Sequence, residues 1–317
     1  MESFSLAAPD GVALYVRRWE PDAPPRMAVQ IVHGLAEHGG RYAGLAEALT
    51  RAGAVVYAGD LRGHGRTAAG PGELGFFAER DGWPKCVGDL ELLRRRIAAE
   101  HPKIPLVLIA HSLGSLLAQD FLVEHGHALA GAVLSGSNGK PPLLAAAGRW
   151  LARGERLRLG PRGRSALIHR LAFGAYNRTF EPARTPFDWL SRDPAEIDAY
   201  RHDPLCGFVA TVQLWADVLA ALPRLTRPAR LARLPRALPI HLIAGTRDPV
   251  SNGTRALRSL LAAYRAAGLS RVSHRFYEGA RHELFHESNR DAVIADLLSW
   301  LDDLARHGSL EPRQGDG

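Results

Sequence analysis

The sequence predicts an α/β protein, a mostly parallel sheet with helices on both faces and one long helical insertion. Three observations carry this. Short apolar segments of strand length alternate with segments of helical periodicity as far as Ser135. The alternation stops near Ser137 and resumes at Pro239. The stretch between, 141–235, is rich in Arg, Leu and Ala, is broken by prolines, and holds no short buried-strand pattern.

Each element follows from its local pattern. Around a Pro9-Asp10-Gly11 turn, the alternating run Val12 to Val16 places an antiparallel strand pair within Met1 to Trp19. Ala28 to Val32 and Ala54 to Ala58 are short apolar strands, and Tyr42 to Ala52 between them has leucine and alanine at helical spacing. Gly82 to Glu100 is a helix, Pro105 to Ala110 a strand, Leu113 to His125 a helix and Gly131 to Ser135 a strand. After the insertion come a strand at Pro239 to Ala244, a helix at Gly253 to Ala267 and a strand at Ser270 to Tyr277. The last helix, Arg290 to Ala305, keeps its leucines and Trp300 on one face. The expected division is a core of 1–140 and 236–307, a helical cap of 141–235 and a polar, flexible tail of 308–317.

Composition narrows the function classes. With 46% hydrophobic and 23% charged residues in a chain of 317, a sizeable core is available, which excludes a disordered chain, a collagen or a coiled coil. No stretch reaches about 18 consecutive apolar residues, and the N-terminus lacks the basic start and apolar run of a signal peptide. A cytoplasmic location is expected. Cys86 and Cys206 are too few for a disulfide framework or a four-cysteine metal site, and are expected as free thiols. The net charge of +7 comes almost wholly from arginine. Arg149 to Arg170 and Arg224 to Arg236 are the basic clusters, with leucines at amphipathic spacing. They are read as solvated helix faces, with peripheral contact to a lipid surface as the alternative. No zinc-finger or aromatic-basic pattern points to nucleic acid. Oligomeric state is not legible.

The chemistry lies in three separated segments. In Leu106 to Ser115 an apolar strand runs into His111-Ser112-Leu113 and then a helix, with Ala110 and Gly114 as small residues two away on either side of the serine. A sharp strand-to-helix turn needs such small neighbours and lifts the Ser112 hydroxyl above the sheet edge. Alone, the segment fits a helix-capping serine equally well. A strand running into Asp248 and another running into His282 supply the missing partners. A serine nucleophile needs a base to take its proton and a carboxylate to orient that base, and parallel sheets place such groups beyond strand C-termini. After the strand ending at Val32, His33-Gly34-Leu35 makes the Leu35 N–H a candidate oxyanion donor beside that of Leu113. His33 and His38 are read as holding their loop by hydrogen bonds, and Asp60 to Arg66 as a turn with a buried Asp–Arg support pair.

On His33 to Tyr42, Asp60 to Arg66, His111 to Ser115 and Asp248 with His282, the chain resembles α/β-hydrolases of the monoacylglycerol lipase, lysophospholipase and serine aminopeptidase (S33-like) group. The resemblance implies the α/β-hydrolase fold with a cap inserted before the acid-bearing strand, Ser112, Asp248 and His282 as catalytic residues, and Leu35 and Leu113 as oxyanion donors. The glycine common before the glutamate of the first loop is Ala36 here, which removes no donor. No cofactor or metal is implied. The expected activity is hydrolysis of carboxylic esters, of monoacylglycerol or lysophospholipid type, through an acyl-enzyme on Ser112. The substrate is thus a small acyl ester. An S33-type aminopeptidase would need a cap carboxylate for the substrate amine, and Glu155, Glu181, Asp188, Asp193, Glu196, Asp198, Asp203 and Asp217 are available. A cofactor-free perhydrolase would keep the same triad, and a non-catalytic binding protein would not require it. Leu143, Leu144, Trp150, Leu151, Phe173, Phe187, Trp189, Leu205, Phe208 and Trp215 are the apolar residues from which the cap would build its own core and an acyl channel.

Overall fold

The computed structural model describes residues 1–139 and 145–307, with side chains from 147 onward in the second segment. Strands β1 (Glu2–Ala7) and β2 (Ala13–Trp19) form the expected antiparallel hairpin. Six more strands follow: β3 (Met27–Val32), β4 (Ala54–Gly59), β5 (Leu106–His111), β6 (Gly131–Ser135), β7 (Ile240–Gly245) and β8 (Val272–Tyr277). They make one sheet in the order β1-β2-β4-β3-β5-β6-β7-β8, parallel from β4 onward.

The helices between them are α1 (Ala43–Arg51), α2 (Gly82–Glu100), α3 (Leu113–His125), α9 (Arg255–Ala266) and α10 (Arg290–His307). Strand side chains alternate between two apolar layers because the pleat has a period of two. Met27, Val29 and Ile31 of β3 join the layer containing α1 and α10, whereas Ala28 and Val32 join the layer containing α2, α3 and α9. With both faces covered, the central strands β3 and β5 are buried throughout and apolar except for Gln30 and His111.

This winding places a crevice. The chain leaves β3 for α1 on one face and leaves β5 for α3 on the other, while β3 and β5 are neighbours. Loops that diverge from adjacent parallel strands open a gap at their C-terminal ends. The loop at His33 and the turn at Ser112 border that gap.

Between β6 and β7 lie α4 (Ala145–Leu159), α5 (Ala166–Phe173), α6 (Pro194–His202), α7 (Val212–Leu225) and the one-turn α8 (Pro228–Leu231), the helical cap. Ser165 caps α5, Asp193 caps α6 and Thr211 caps α7 through side-chain acceptance of backbone N–H groups. Leu214, Val218, Ala221 and Leu225 of α7 are buried in the main core. The cap is therefore rooted in the sheet domain through α7. Trp189, Leu190, Ile197, Tyr200 and Cys206 make a smaller apolar cluster within it. Cys86 and Cys206 are buried free thiols, and no helix among the described residues is long and apolar enough to cross a membrane. The tail 308–317, Leu143 and Leu144 lie outside the described residues.

Candidate active site

At the C-terminal end of β5 the backbone turns sharply at Ser112, with φ 50° and ψ −120°. This is a strained conformation for a residue with a side chain. It is held by the Ser112 N–H, which donates to the Ser135 carbonyl at 2.9 Å, and by the helix that starts at the next residue. Gly114 is required here, because a Cβ would lie 2.4 Å from the His33 carbonyl oxygen and 2.6 Å from that of Val32. Ala110 is fully buried in β5, so the methyl group fits.

The three predicted groups meet although 136 and 34 positions separate them along the chain. Ser112 Oγ lies 2.9 Å from His282 Nε2. His282 Nδ1 lies 3.0 Å from Asp248 Oδ1, which also accepts the Val250 N–H at 2.8 Å. Asp248 is fully buried and His282 nearly so, whereas Ser112 is half-buried and faces a cavity. Burial disfavours the charged imidazole of His282. The opposing pull of the Asp248 carboxylate and its hydrogen bond, with Glu283 and Glu37, nonetheless raises its pKa above 6.5. Burial also pushes the Asp248 carboxyl upward, but the interaction with His282 and the Val250 N–H outweighs it and lowers the pKa.

Leu35 and Leu113, the predicted oxyanion donors, line the same cavity as Ser112. The peptide that carries the Leu35 N–H is fixed through the Gly34 carbonyl, which accepts from His33 Nδ1, and the Gly34 N–H donates to Glu37 Oε1 at 2.5 Å. A Cβ on Gly34 would fall 2.8 Å from that oxygen and 3.1 Å from Ser112 Cβ. Ala36 has φ 58°, in the region where glycine is at ease. Its carbonyl accepts from Gly207 N–H and Tyr200 hydroxyl, both at 2.9 Å and both in the cap.

The neighbouring polar residues have structural partners. His33 donates through Nδ1 to the Gly34 carbonyl at 2.7 Å and accepts the Leu61 N–H at Nε2. His38 pairs with Asp203 of the cap at 2.8 Å. Burial keeps His111 neutral, with a pKa of about 4. Asp60 forms the support pair with Arg17 at 2.6 Å and accepts the Gly39 and Arg66 N–H groups, while Arg62 binds Asp89 and Asp10 instead.

Sequence reasoning missed a buried ion cluster beside the triad. Arg41 donates to Glu37 at 2.8 Å and to both oxygens of Glu283 at 2.7 Å, and Tyr42 donates to Glu37 at 2.9 Å. Arg41 also lies over the Tyr200 ring at 4.8 Å. Glu283 follows His282 directly, so the cluster ties the oxyanion loop to the histidine loop. Glu37 and Arg41 sit in the quoted His33 to Tyr42 segment, but their partner Glu283 has no local signal. Among the described residues two groups have ligand atoms close enough for a metal, Glu37 with His111 and Glu283, and His38 with Asp203 and Cys206. In the first the guanidinium of Arg41 already supplies the cation, and in the second His38 and Asp203 bind each other.

Above Ser112 the cavity measures about 440 Å³ and is mostly apolar, walled by Leu116, Phe173, Phe187, Trp189, Phe208 and Trp215. Trp150, in contrast, is 71% exposed. None of the eight cap carboxylates lines the cavity. Asp193 pairs with Arg290, Asp198 with Arg184, Asp203 with His38 and Glu155 with Arg158. The carboxylates that do reach it, Glu37 and Glu283, are those bound to Arg41.

The sequence profile described as serine aminopeptidase, S33, matches residues 23–289. The chain belongs to the S33 family of α/β-hydrolases. The S33 match covers strands β3 to β8, the cap and all three predicted triad positions. A monoacylglycerol lipase of Mycolicibacterium smegmatis is 30% identical over 307 residues, covering 94% of this chain and 95% of that protein. The human monoglyceride lipase is 27% identical over 93% of this chain and 89% of its own. Among solved structures, a thermostable carboxyl esterase from Bacillus coagulans superimposes with a TM-score of 0.88 at 26% identity, over 96% of this chain and 98% of that one. Membership of this family and its esterase and lipase relatives place the chain among hydrolases of the esterase/lipase superfamily.

Proposed function

We propose that this S33 protein is a serine esterase acting on monoacylglycerol- or lysophospholipid-like substrates. One observation carries the reading: Ser112, His282 and Asp248 meet at an apolar, aromatic-walled cavity whose carboxylates are both bound by Arg41. Ser112 Oγ attacks the ester carbonyl as its proton passes to His282 Nε2. Asp248 holds the imidazole tautomer and stabilises the imidazolium. The negative oxygen of the tetrahedral intermediate accepts from the Leu35 and Leu113 N–H groups. His282 protonates the leaving alcohol and then takes a proton from the water that hydrolyses the acyl-enzyme. No metal or organic cofactor enters this scheme, and no nucleic-acid partner. In this reading the core, 1–140 with 236–307, supplies the chemistry, and the cap, 141–235, supplies the acyl wall.

An aminopeptidase must pair its substrate's ammonium group with an anion, and no free one faces the cavity among the described residues. The test is kcat/KM on p-nitrophenyl esters and monoacylglycerols of rising chain length beside amino-acid p-nitroanilides. Each methylene buried adds about 0.8 kcal/mol, roughly fourfold in kcat/KM, until the cavity is full. Faster turnover of the anilides, abolished by N-acetylation, would replace the ester reading with a peptidase.

A further inference from the structure

A second cavity lies at the opposite end of the sheet, where the parallel strands begin. It measures about 310 Å³, within the range of about 300–1,000 Å³ usual for small-molecule sites. The loop after α2, the turn after α3 and the segments leading into β7 and β8 enclose it. Ala28, Leu106, Ala130 and Pro239, at or beside the first residues of β3, β5, β6 and β7, form its back wall. Strand β5 runs from Leu106 in this cavity to His111 beside Ser112, six residues in all. At about 3.3 Å per residue that places the two cavities roughly 17 Å apart, with the sheet between them. The proposed ester chemistry makes no use of this end of the molecule.

Its lining has two chemistries. The floor is aliphatic, with Ile97, Leu129 and Leu238 from one apolar layer of the core and Leu304 from the other. The rim is basic, with Arg94, His101, Lys103, His127 and Arg271, and among the described residues no Asp or Glu lines the cavity. The catalytic cavity, by contrast, contains Glu37 and Glu283. Arg94 is already bound to Glu91 at 2.6 and 2.8 Å, and His101 Nε2 meets the Tyr57 hydroxyl at 2.9 Å. Lys103, His127 and Arg271 are exposed, and their side chains have no hydrogen bond or ion pair among the described residues. Lys103 and Arg271 each carry a full charge at neutral pH. Two uncommitted cations thus stand over an aliphatic floor.

We propose that this cavity is a second ligand site, for a carboxylate carried on a medium-length aliphatic chain. The carboxylate meets Lys103 and Arg271, and the chain covers Ile97, Leu129 and Leu238. Exposed charges are screened by salt, so an inorganic anion would gain little here without the apolar floor. A nucleotide would use the cations but find no Phe, Tyr or Trp to stack on among the described lining residues. A neutral alcohol of the same length would use the floor and leave both cations without a partner. Acids of this class are what the proposed ester hydrolysis releases. The site does not depend on that reading, because its groups lie a strand length away from Ser112.

The experiment is titration of the full chain, labelled at its isoleucine methyl groups, with octanoate, octanol and inorganic phosphate, followed by nuclear magnetic resonance. Ile97 and Ile104 line this cavity and no isoleucine lines the catalytic one, so their methyl signals report on the second site alone. Octanoate should shift both signals saturably, with a Kd below about 1 mM, and should bind at least about tenfold more tightly than octanol or phosphate. Lys103→Gln with Arg271→Gln should raise the octanoate Kd by about tenfold or more while leaving circular dichroism and hydrolysis of a short soluble ester unchanged. Phe173→Ala, which alters only the catalytic cavity, should leave the two shifts as in the parent. Ser112→Ala should do the same, which separates this site from catalysis. No saturable shift, octanol or phosphate binding as tightly as octanoate, or an unchanged Kd in the Lys103 and Arg271 double variant would each overturn the proposal.

Discussion

The triad end of the sheet and the cap above it are built from the same chain by different means. Ser112 and Asp248 follow parallel strands that are buried throughout, His282 follows the more exposed edge strand β8, and hydrogen bonds such as Ser112 N–H to the Ser135 carbonyl and Val250 N–H to Asp248 Oδ1 hold the first two turns. The cap has helices instead of strands. Besides α7, it meets the core through polar ties: the Tyr200 hydroxyl on Ala36, Asp203 on His38, and the Glu283 N–H on the Leu190 carbonyl at 2.8 Å. Core geometry tolerates little change because three groups must stay in line to within a fraction of an ångström. The cap wall is a set of aromatic surfaces, and exchanging one alters which chain fits while leaving the proton relay in place. The difference implies that core substitutions should depress every ester alike, whereas cap substitutions should change the ratio of long to short esters.

Ser112→Ala should make the largest difference and test the core half of this comparison directly. It removes the proposed nucleophile from a turn that helix α3 and Gly114 still hold, so kcat/KM on acetate and on long-chain esters should fall together by about 10³-fold or more with unchanged circular dichroism. More than roughly a tenth of the parent rate surviving on either ester would rule out Ser112 as nucleophile.

Asp248→Asn should lower kcat by on the order of 10³–10⁴, again for both esters, and should also move the pH profile. The reaction needs the neutral imidazole, so activity is lost as pH falls through the pKa of His282. That pKa stands above 6.5, in large part through Asp248. Without the carboxylate, the acid limb of kcat/KM should move to lower pH. An unmoved limb would mean that another group governs it.

Arg41→Met tests whether the ion cluster belongs to the core side of the comparison. The substitution strands Glu37 and Glu283, both buried, without their cation. A loss of about 3–5 kcal/mol in unfolding free energy is expected, with Arg41→Lys between it and the parent. An unchanged denaturation midpoint would show that the two carboxylates find other partners.

Phe173→Ala should have the smallest and the most selective effect on activity. Phe173 stacks 6.0 Å from Trp189 and lies 5.7 Å from Trp215, at the centre of the cavity wall. Long-chain kcat/KM should drop by about ten- to a hundredfold through lost acyl burial, and acetate hydrolysis by less than about threefold. A uniform drop would erase the division between core and cap.

Much of this was legible because the relevant signals are local. An apolar strand followed by a polar residue in a glycine-containing loop marks the functional edge of a parallel sheet, and that pattern occurs at His33, Ser112, Asp248 and His282. The hairpin at the N-terminus and the helical insertion were legible from periodicity. The Arg41–Glu283 pair was not, since its members are 242 positions apart and each alone looks like a surface charge. The partner of Asp60 was also hidden. It is Arg17 on β2, brought alongside only because that strand pairs antiparallel with β4.

The cap shows the same boundary. The amphipathic spacing of α4 and α5 is in the sequence, and so is the cluster of arginines. Periodicity cannot say that Ile168 points inward while Leu167 and Leu171 point out, because all three are leucine or isoleucine on a short helix and only the packing on α7 distinguishes them. The sequence by itself determined the α/β alternation and the strand ends that carry Ser112, Asp248 and His282, because strand length, helical period and tight-turn chemistry are written in windows of about ten residues. Tertiary structure alone decided the strand order that opens the crevice between β3 and β5, the burial of Glu37 and Glu283 around Arg41, and the faces of the cap that line the cavity or meet solvent. Those depend on contacts between residues far apart in the chain, whose free energy exists only once the sheet has closed on its helices.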